Sequence, residues 1–197
     1  MTAIVDYKAG NLTSVKLAFA AIGEDALVTS DAATIRRADR VVFPGVGAAK
    51  SAMENLRAMD LADVVRESAA SKPFLGICLG MQILFDHSEE DGGVDLLGVV
   101  KGRVRRFPDV AGFKVPEIGW NSVEGTDGAG IGEFYFVHSY YAEIVPETAF
   151  STEYAGVRFT AMVKRGAMWA CQFHPEKSGR IGLDLLRAWL EVPAVKR

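Results

Sequence analysis

Residues 72–85, KPFLGICLGMQILF, decide how this chain is read: an apolar run of strand length passes through Gly76-Ile77-Cys78-Leu79-Gly80 into an amphipathic run. Phe74, Leu75 and Ile77 have strand character, whereas Met81, Leu84 and Phe85 recur at helical spacing. A sharp strand-to-helix corner brings the chain close to itself, so residues two positions either side of its apex must lack side chains. Gly76 and Gly80 meet that requirement around Cys78. A cysteine at a helix N-terminus feels the positive end of the helix dipole, which favours the nucleophilic thiolate. Free backbone N–H groups there can also donate to an oxyanion. The competing reading makes Cys78 a small apolar residue of a buried strand; the paired glycines favour the nucleophile.

Working outward, strands and helical patterns alternate. TAIVDY (2–7) reads as a strand, and NLTSVKLAFAAIG (11–23) as a helix with Val15, Ala18, Phe19 and Ile22 on one face and Gly23 at its end. DRVVFPG (39–45) is the next strand, helical material follows from about 48 to 71, then the strand PFLGIC and a helix from 79 toward 89. Such alternation predicts parallel crossovers, hence an α/β fold with helices on both faces of a mostly parallel central sheet. Beyond about residue 94 the segments 132–144, 156–164 and 166–174 are aromatic and β-branched. The last two flank an Arg165-Gly166 turn signal, so an antiparallel C-terminal portion is expected. Residues 178–191 return to helix with Ile181, Leu185 and Trp189 on one face, and the glycine cluster 124–133 reads as a surface connection. With no repeat or linker, one domain over 1–197 is expected.

Hydrophobic residues at 49% and charged residues at 24% fit a globular domain rather than a disordered chain. The net charge of −3 leaves no basic stripe for nucleic acid. No apolar run approaches the roughly 20 residues that span a bilayer, and the start MTAIVDYKAG lacks the build of a secretory signal. A cytoplasmic location is therefore expected. Cys78 and Cys171 are too far apart in sequence for zinc-knuckle spacing, so two free thiols and no metal are expected.

A nucleophilic thiol needs a base, and the chain has three histidines. His87 lies beside SEED, where a solvated side chain is the ordinary explanation. His138 shares a strand face with Phe134 and Phe136, which suits a packed core histidine as well as a functional one. His174 ends an apolar strand and precedes Pro175, which biases it toward extended backbone. In an extended segment Glu176 falls on the same side as His174 and can orient its ring. Cys78, His174 and Glu176 thus form a candidate triad.

Taken together, GICLGMQ and QFHPE resemble the class I (triad) glutamine amidotransferases. Further motifs in the same order are DYKAGNL, PGVGA, SEE, VPEIGWN, YFVHSYY and FHPEKS, running from the first strand to the last helix. They resemble more closely the glutaminase subunits of imidazole glycerol phosphate synthases. The resemblance implies a flavodoxin-like fold and hydrolysis of glutamine through a thioester at Cys78, without a cofactor. It further implies a heterodimer in which ammonia passes to a separate (βα)8-barrel cyclase subunit of histidine biosynthesis. By the same resemblance Gln82 and Glu90 hold the amino-acid part of glutamine, although a solvated helix-end role is an alternative for each. His138, Ser139 and Tyr140 are expected to offer backbone groups to it. Gly45-Val46-Gly47 resembles an oxyanion strand, its Val46 N–H supplementing that of Leu79; two glycines would let that peptide flip. Asn11, Trp120, Tyr135 and Lys177 are expected at the partner interface. Glu117 departs from the histidine or glutamine of many relatives in a segment expected to face that partner.

Overall fold

The computed structural model describes residues 1–193. The first strands are β1 (Thr2–Val5), β3 (Arg40–Gly45) and β4 (Phe74–Cys78), which are buried almost throughout, and the edge strand β2 (Leu27–Thr29), which is not. Between them lie α1 (Leu12–Ala21), α2 (Ala32–Arg37), α3 (Ala49–Ala58) and α4 (Ala62–Ser71). Asn11 caps α1, and Asp31 caps α2, each accepting from a backbone N–H three residues on. The helical stretch expected over 48–71 is two helices. Asp60 breaks it by adopting φ 55°, and Leu61 N–H donates back to the carbonyl of Leu56.

After β4 come α5 (Leu79–Gln82), β5 (His87–Ser88), β6 (Val94–Asp95), β7 (Arg103–Arg106), β8 (Glu117–Gly125), β9 (Gly130–His138), β10 (Tyr140–Ala142), β11 (Thr148–Tyr154), β12 (Val157–Arg165), β13 (Met168–Cys171) and α6 (Gly179–Leu190). The main sheet has the order β2-β1-β3-β4-β13-β12-β11-β8-β9. It is parallel from β2 to β13 and antiparallel from there to β9. A second, four-stranded sheet, β10-β7-β5-β6, was not legible from periodicity, because β5 and β6 are two residues each.

Both faces of the parallel half are covered, as βαβ crossovers require. Val41, Phe43 and Phe74 pack into one core with Leu56 of α3 and Val64 of α4. Val42, Leu75 and Ile77 pack into the other with Val15 and Phe19 of α1 and Leu186 and Trp189 of α6. The buried stripe of α6 is Gly182, Leu186 and Trp189, with Ile181 and Leu185 only partly covered.

The helix expected from 79 toward 89 is a single turn. The carbonyls that would continue it are taken by residues 96–100: Ile83 accepts from Leu97, Leu84 from Val99 and Val100, Phe85 from Gly98 and Asp86 from Leu96, at 2.8–3.0 Å. Chain exit from the corner is thereby redirected into the small sheet, where His87 Nδ1 lies 2.9 Å from Asp95 Oδ1. The glycine cluster 124–133 is the β8–β9 hairpin, with Gly130 onward already in strand.

Candidate active site

Cys78 sits between β4 and α5 at φ 55°, ψ −114°, a left-handed conformation that a non-glycine residue adopts at a cost. Contacts on both sides hold it there. A Cβ on Gly80 would lie 1.9 Å from the carbonyl oxygen of Phe43, and one on Gly76 would lie 2.9 Å from Ala170 Cβ and from the Gly80 carbonyl. Neither position accommodates any side chain. The parallel β3–β4 register sets Gly45 opposite Cys78, so the PGVG segment leaves its strand beside the sulfur. There Gly47 has φ 90°, in the region that favours glycine, and Val46 is exposed.

His174 reaches the corner from β13. Its backbone N–H donates to the carbonyl of Tyr135 on β9 at 2.9 Å, and its own carbonyl accepts from Ser178 Oγ at 2.6 Å. Nδ1 of the ring lies 2.7 Å from Glu176 Oε1, with both side chains buried. The pairing expected from an extended HPE segment is therefore present, but its geometry differs. His174 is extended, whereas Pro175–Lys177 forms one 3₁₀ turn, from which Glu176 reaches Nδ1 at the edge of the ring. Burial opposes charge on the imidazole; hydrogen bonding and charge from Cys78 and Glu176 override it and push its pKa up to about 10. The second thiol, Cys171, is buried, donates to the carbonyls of Phe173 and Gly76, and is held well above the ordinary thiol range by burial and by Glu176 and Cys78.

A cleft of about 350 Å³ opens over the sulfur. Cys78, Leu79 and His174 line it together with Val46 and Gly47 and with His138, Ser139 and Tyr140. Gln82, Glu90 and Lys177 also line it. Glu90 is not solvated at a helix end: it is half-buried, and its Oε2 accepts from the N–H of Ala49 at 2.6 Å, at the start of α3. Burial raises its pKa, partly offset by that hydrogen bond. Gln82 is buried, with Nε2 donating to the carbonyl of Tyr140 and to Gln172 Oε1, both at 2.8 Å.

Of the residues expected at a partner interface, Trp120 is 55% exposed on β8 beside Ile118 at 63%, and its ring meets Tyr135 edge-on at 6.2 Å. Lys177 Nζ stands 5.8 Å above the Tyr135 ring. Asn11 is partly exposed as the α1 cap. Glu117, by contrast, does not face outward. It is buried with Oε2 at 3.1 Å from His138 Nε2, and its Oε1 accepts from Asn121 Nδ2 at 2.8 Å. His138 Nδ1 lies 2.7 Å from the Tyr140 carbonyl.

Sequence reasoning missed Gln172, Glu117's inward role and Tyr7. Tyr7 is buried with its hydroxyl against Gly45, and burial and the charge at Cys78 raise its pKa well above the usual range. The signal for Gln172 was its place two residues before His174, which puts it on the same side of an extended segment. Among the described residues no cluster of three or more His, Cys, Asp or Glu could hold a metal ion.

A thiol on a glycine-flanked elbow, set against a buried His–Glu pair in this sheet order, is the arrangement of a triad amidohydrolase. The chain belongs to the class I glutamine amidotransferase family, whose model, Glutamine amidotransferase class-I, matches residues 3–190. It is 48% identical to the imidazole glycerol phosphate synthase subunit HisH of Methanothermobacter thermautotrophicus, over 98% of each chain. It is 45% identical to the subunit of the same name from Pseudomonas putida, over 95% of each. In fold it is similar to a crystal structure of glutamine amidotransferase (TM-score 0.73, 21% identity, 96% of this chain and 97% of that one). It is likewise similar to the structure of PurLQS from Thermotoga maritima (TM-score 0.67, 16% identity, 96% of each chain).

Proposed function

We propose that this chain is the glutaminase subunit of an imidazole glycerol phosphate synthase, releasing ammonia from glutamine for a separate (βα)8-barrel cyclase subunit. The observation that carries the chemistry is the buried His174–Glu176 pair, 2.7 Å apart, lining the same cleft as Cys78. Near-complete alignment with relatives named HisH supports the pathway.

Cys78, as thiolate, attacks the side-chain carbonyl carbon of glutamine, forming a C–S bond and an oxyanion. The N–H of Leu79, at the start of α5, and that of Val46 donate to the oxyanion. His174 gives its proton to the amide nitrogen, the C–N bond breaks, and ammonia leaves a glutamyl thioester. Water then attacks the thioester with His174 as base, the C–S bond breaks, and glutamate departs. Glu176 keeps Nδ1 protonated and supports the imidazolium. Glu90, through the carboxylate oxygen not taken by Ala49, pairs with the glutamine ammonium, and Gln82 with the backbone of Ser139 and Tyr140 orients the amino-acid end.

The partner binds at the exposed aromatic surface of Trp120 and Tyr135, with Lys177 and Asn11 beside it. Lys177 lines the cleft as well, so one surface reaches both partner and substrate. Glycine on both sides of Val46 makes its peptide the natural gate: with a carbonyl rather than an N–H turned inward, the oxyanion loses one donor, about 10²-fold in rate. Glutamate release from glutamine, measured with and without the cyclase and its nucleotide ligand, tests the reading. Slow release alone and strong activation in the complex support it; full activity of the isolated chain, unchanged by partner and nucleotide, contradicts it. No helix among the described residues is long and apolar enough to cross a membrane.

A further inference from the structure

Gln172 touches the sulfur and has no part in the triad. Its Nε2 lies 3.7 Å from Cys78 Sγ, both groups being buried. An amide can turn either its N–H₂ or its oxygen toward a neighbour, and the two choices have opposite effects on a thiolate: a donor stabilises the negative sulfur, an acceptor repels it. What decides the choice here starts two residues away. The backbone carbonyl of Tyr140 can only accept, so Gln82 must present Nε2 to it, at 2.8 Å. That same Nε2 lies 2.8 Å from Gln172, which must therefore present its oxygen to Gln82. The nitrogen of Gln172 is left facing the sulfur.

We propose that Gln172 is a positioning residue for Cys78, and that the Tyr140–Gln82–Gln172 chain sets its polarity so that the sulfur always meets a donor. The chain is anchored beyond Tyr140 by His138, whose Nδ1 lies 2.7 Å from the same carbonyl. Gln82 thereby acquires a duty separate from substrate contact: it orients a second amide. The strand end is suited to the task. Gln172 N–H donates to the carbonyl of Ala161 at 2.8 Å, which holds the backbone in register with β12 while the side chain turns toward the corner. All members from Gln82 to Cys78 are buried, so no water competes for the thiolate on this side.

The inference rests on the reading of Cys78 as nucleophile, and its test separates the two. Gln172→Met keeps the volume and removes the donor. In the complex with cyclase and nucleotide, its kcat for glutamate release is expected to fall about tenfold, the lower end for a hydrogen bond to a charged group, with KM for glutamine within about threefold of wild type. Alkylation of Cys78 by iodoacetamide at one fixed pH, in the same complex, is expected to slow by a similar factor. A packing role would leave that rate unchanged or raise it. Gln82→Met, which removes no hydrogen bond to the sulfur, is expected to slow alkylation as well. The double variant is expected to alkylate no more slowly than the worse single one within about twofold, because both break one chain. Wild-type alkylation in Gln172→Met, or a double effect equal to the product of the single effects, would overturn the proposal. If Gln172→Met does not fold, Gln82→Met decides alone: slowed alkylation supports the chain of amides and an unchanged rate overturns it. Absence of glutamate release from the wild-type complex would instead refute the glutaminase reading, while the alkylation ratios still judge this one.

Discussion

Replacing Glu176 with glutamine removes one charge from the site and little else. The side chain is 1% exposed and its partner His174 is 2% exposed, so water does not screen the interaction. Glutamine retains an oxygen that can accept from His174 Nδ1 across the present 2.7 Å, which keeps the ring orientation and tautomer. What is lost is the charge assistance. A hydrogen bond involving a charged group is worth about 1.5–3 kcal/mol against about 1 for a neutral one. The difference, about 0.5–2 kcal/mol, corresponds to roughly 2- to 30-fold in turnover at about 1.4 kcal/mol per decade. His174→Ala, which removes the proton carrier itself, is expected to cost about 10²–10⁴-fold. The assay is glutamate release by the complex with cyclase and nucleotide at saturating glutamine. A Glu176→Gln loss equal to or larger than that of His174→Ala would refute the assignment of proton transfer to the histidine and of orientation to the glutamate.

Further expectations follow from the same contacts. His174 has a folded-state pKa of about 10 against an ordinary value near 6.5, so its pairing contributes stability that is full below about pH 6.5 and is lost as pH rises toward 10. Urea midpoints of wild type should therefore fall between those pH values more steeply than those of Glu176→Gln, and parallel curves would contradict the charged pair. Gly80→Ala should destabilise the fold by about 3 kcal/mol or more, since its Cβ would occupy the Phe43 carbonyl; an unchanged unfolding midpoint would contradict the elbow geometry. Glu117→Ala should cost about 1–3 kcal/mol by removing the buried carboxylate that accepts from Asn121 and faces His138, measured by chemical denaturation, whereas a surface role for Glu117 predicts almost no change.

The parts of the site that were legible in the sequence are those encoded over a few adjacent residues. Gly76 and Gly80 announce the corner because close backbone approach forbids side chains there, and the HPE segment announces the base because Pro175 restricts His174 locally. The strand-helix alternation of the first half was equally readable, since both faces of β3 and β4 are buried and read as continuous apolar runs. What failed depended on distant partners. The amphipathic run after Gly80 has helical spacing, yet residues 96–100 claim its carbonyls and end the helix at Gln82. Glu117 was expected in a partner-facing segment by resemblance, and its inward role was hidden because its neighbour His138 lies on the adjacent strand, where register alone brings the two opposite each other. Gln172 was passed over for the same reason: its significance comes from Gln82, 90 residues earlier.

The central claim, that Cys78 serves only the nitrogen-releasing half of a two-subunit synthesis, is tested most directly by Cys78→Ala in complex with the cyclase, assayed with glutamine and, separately, with ammonium salt at alkaline pH. Loss of glutamine-dependent product formation with ammonia-dependent formation nearly intact is the expected result, because the thiol takes no part in the cyclase reaction. Equal loss with both nitrogen sources, or retention of glutamine-dependent synthesis, would contradict it.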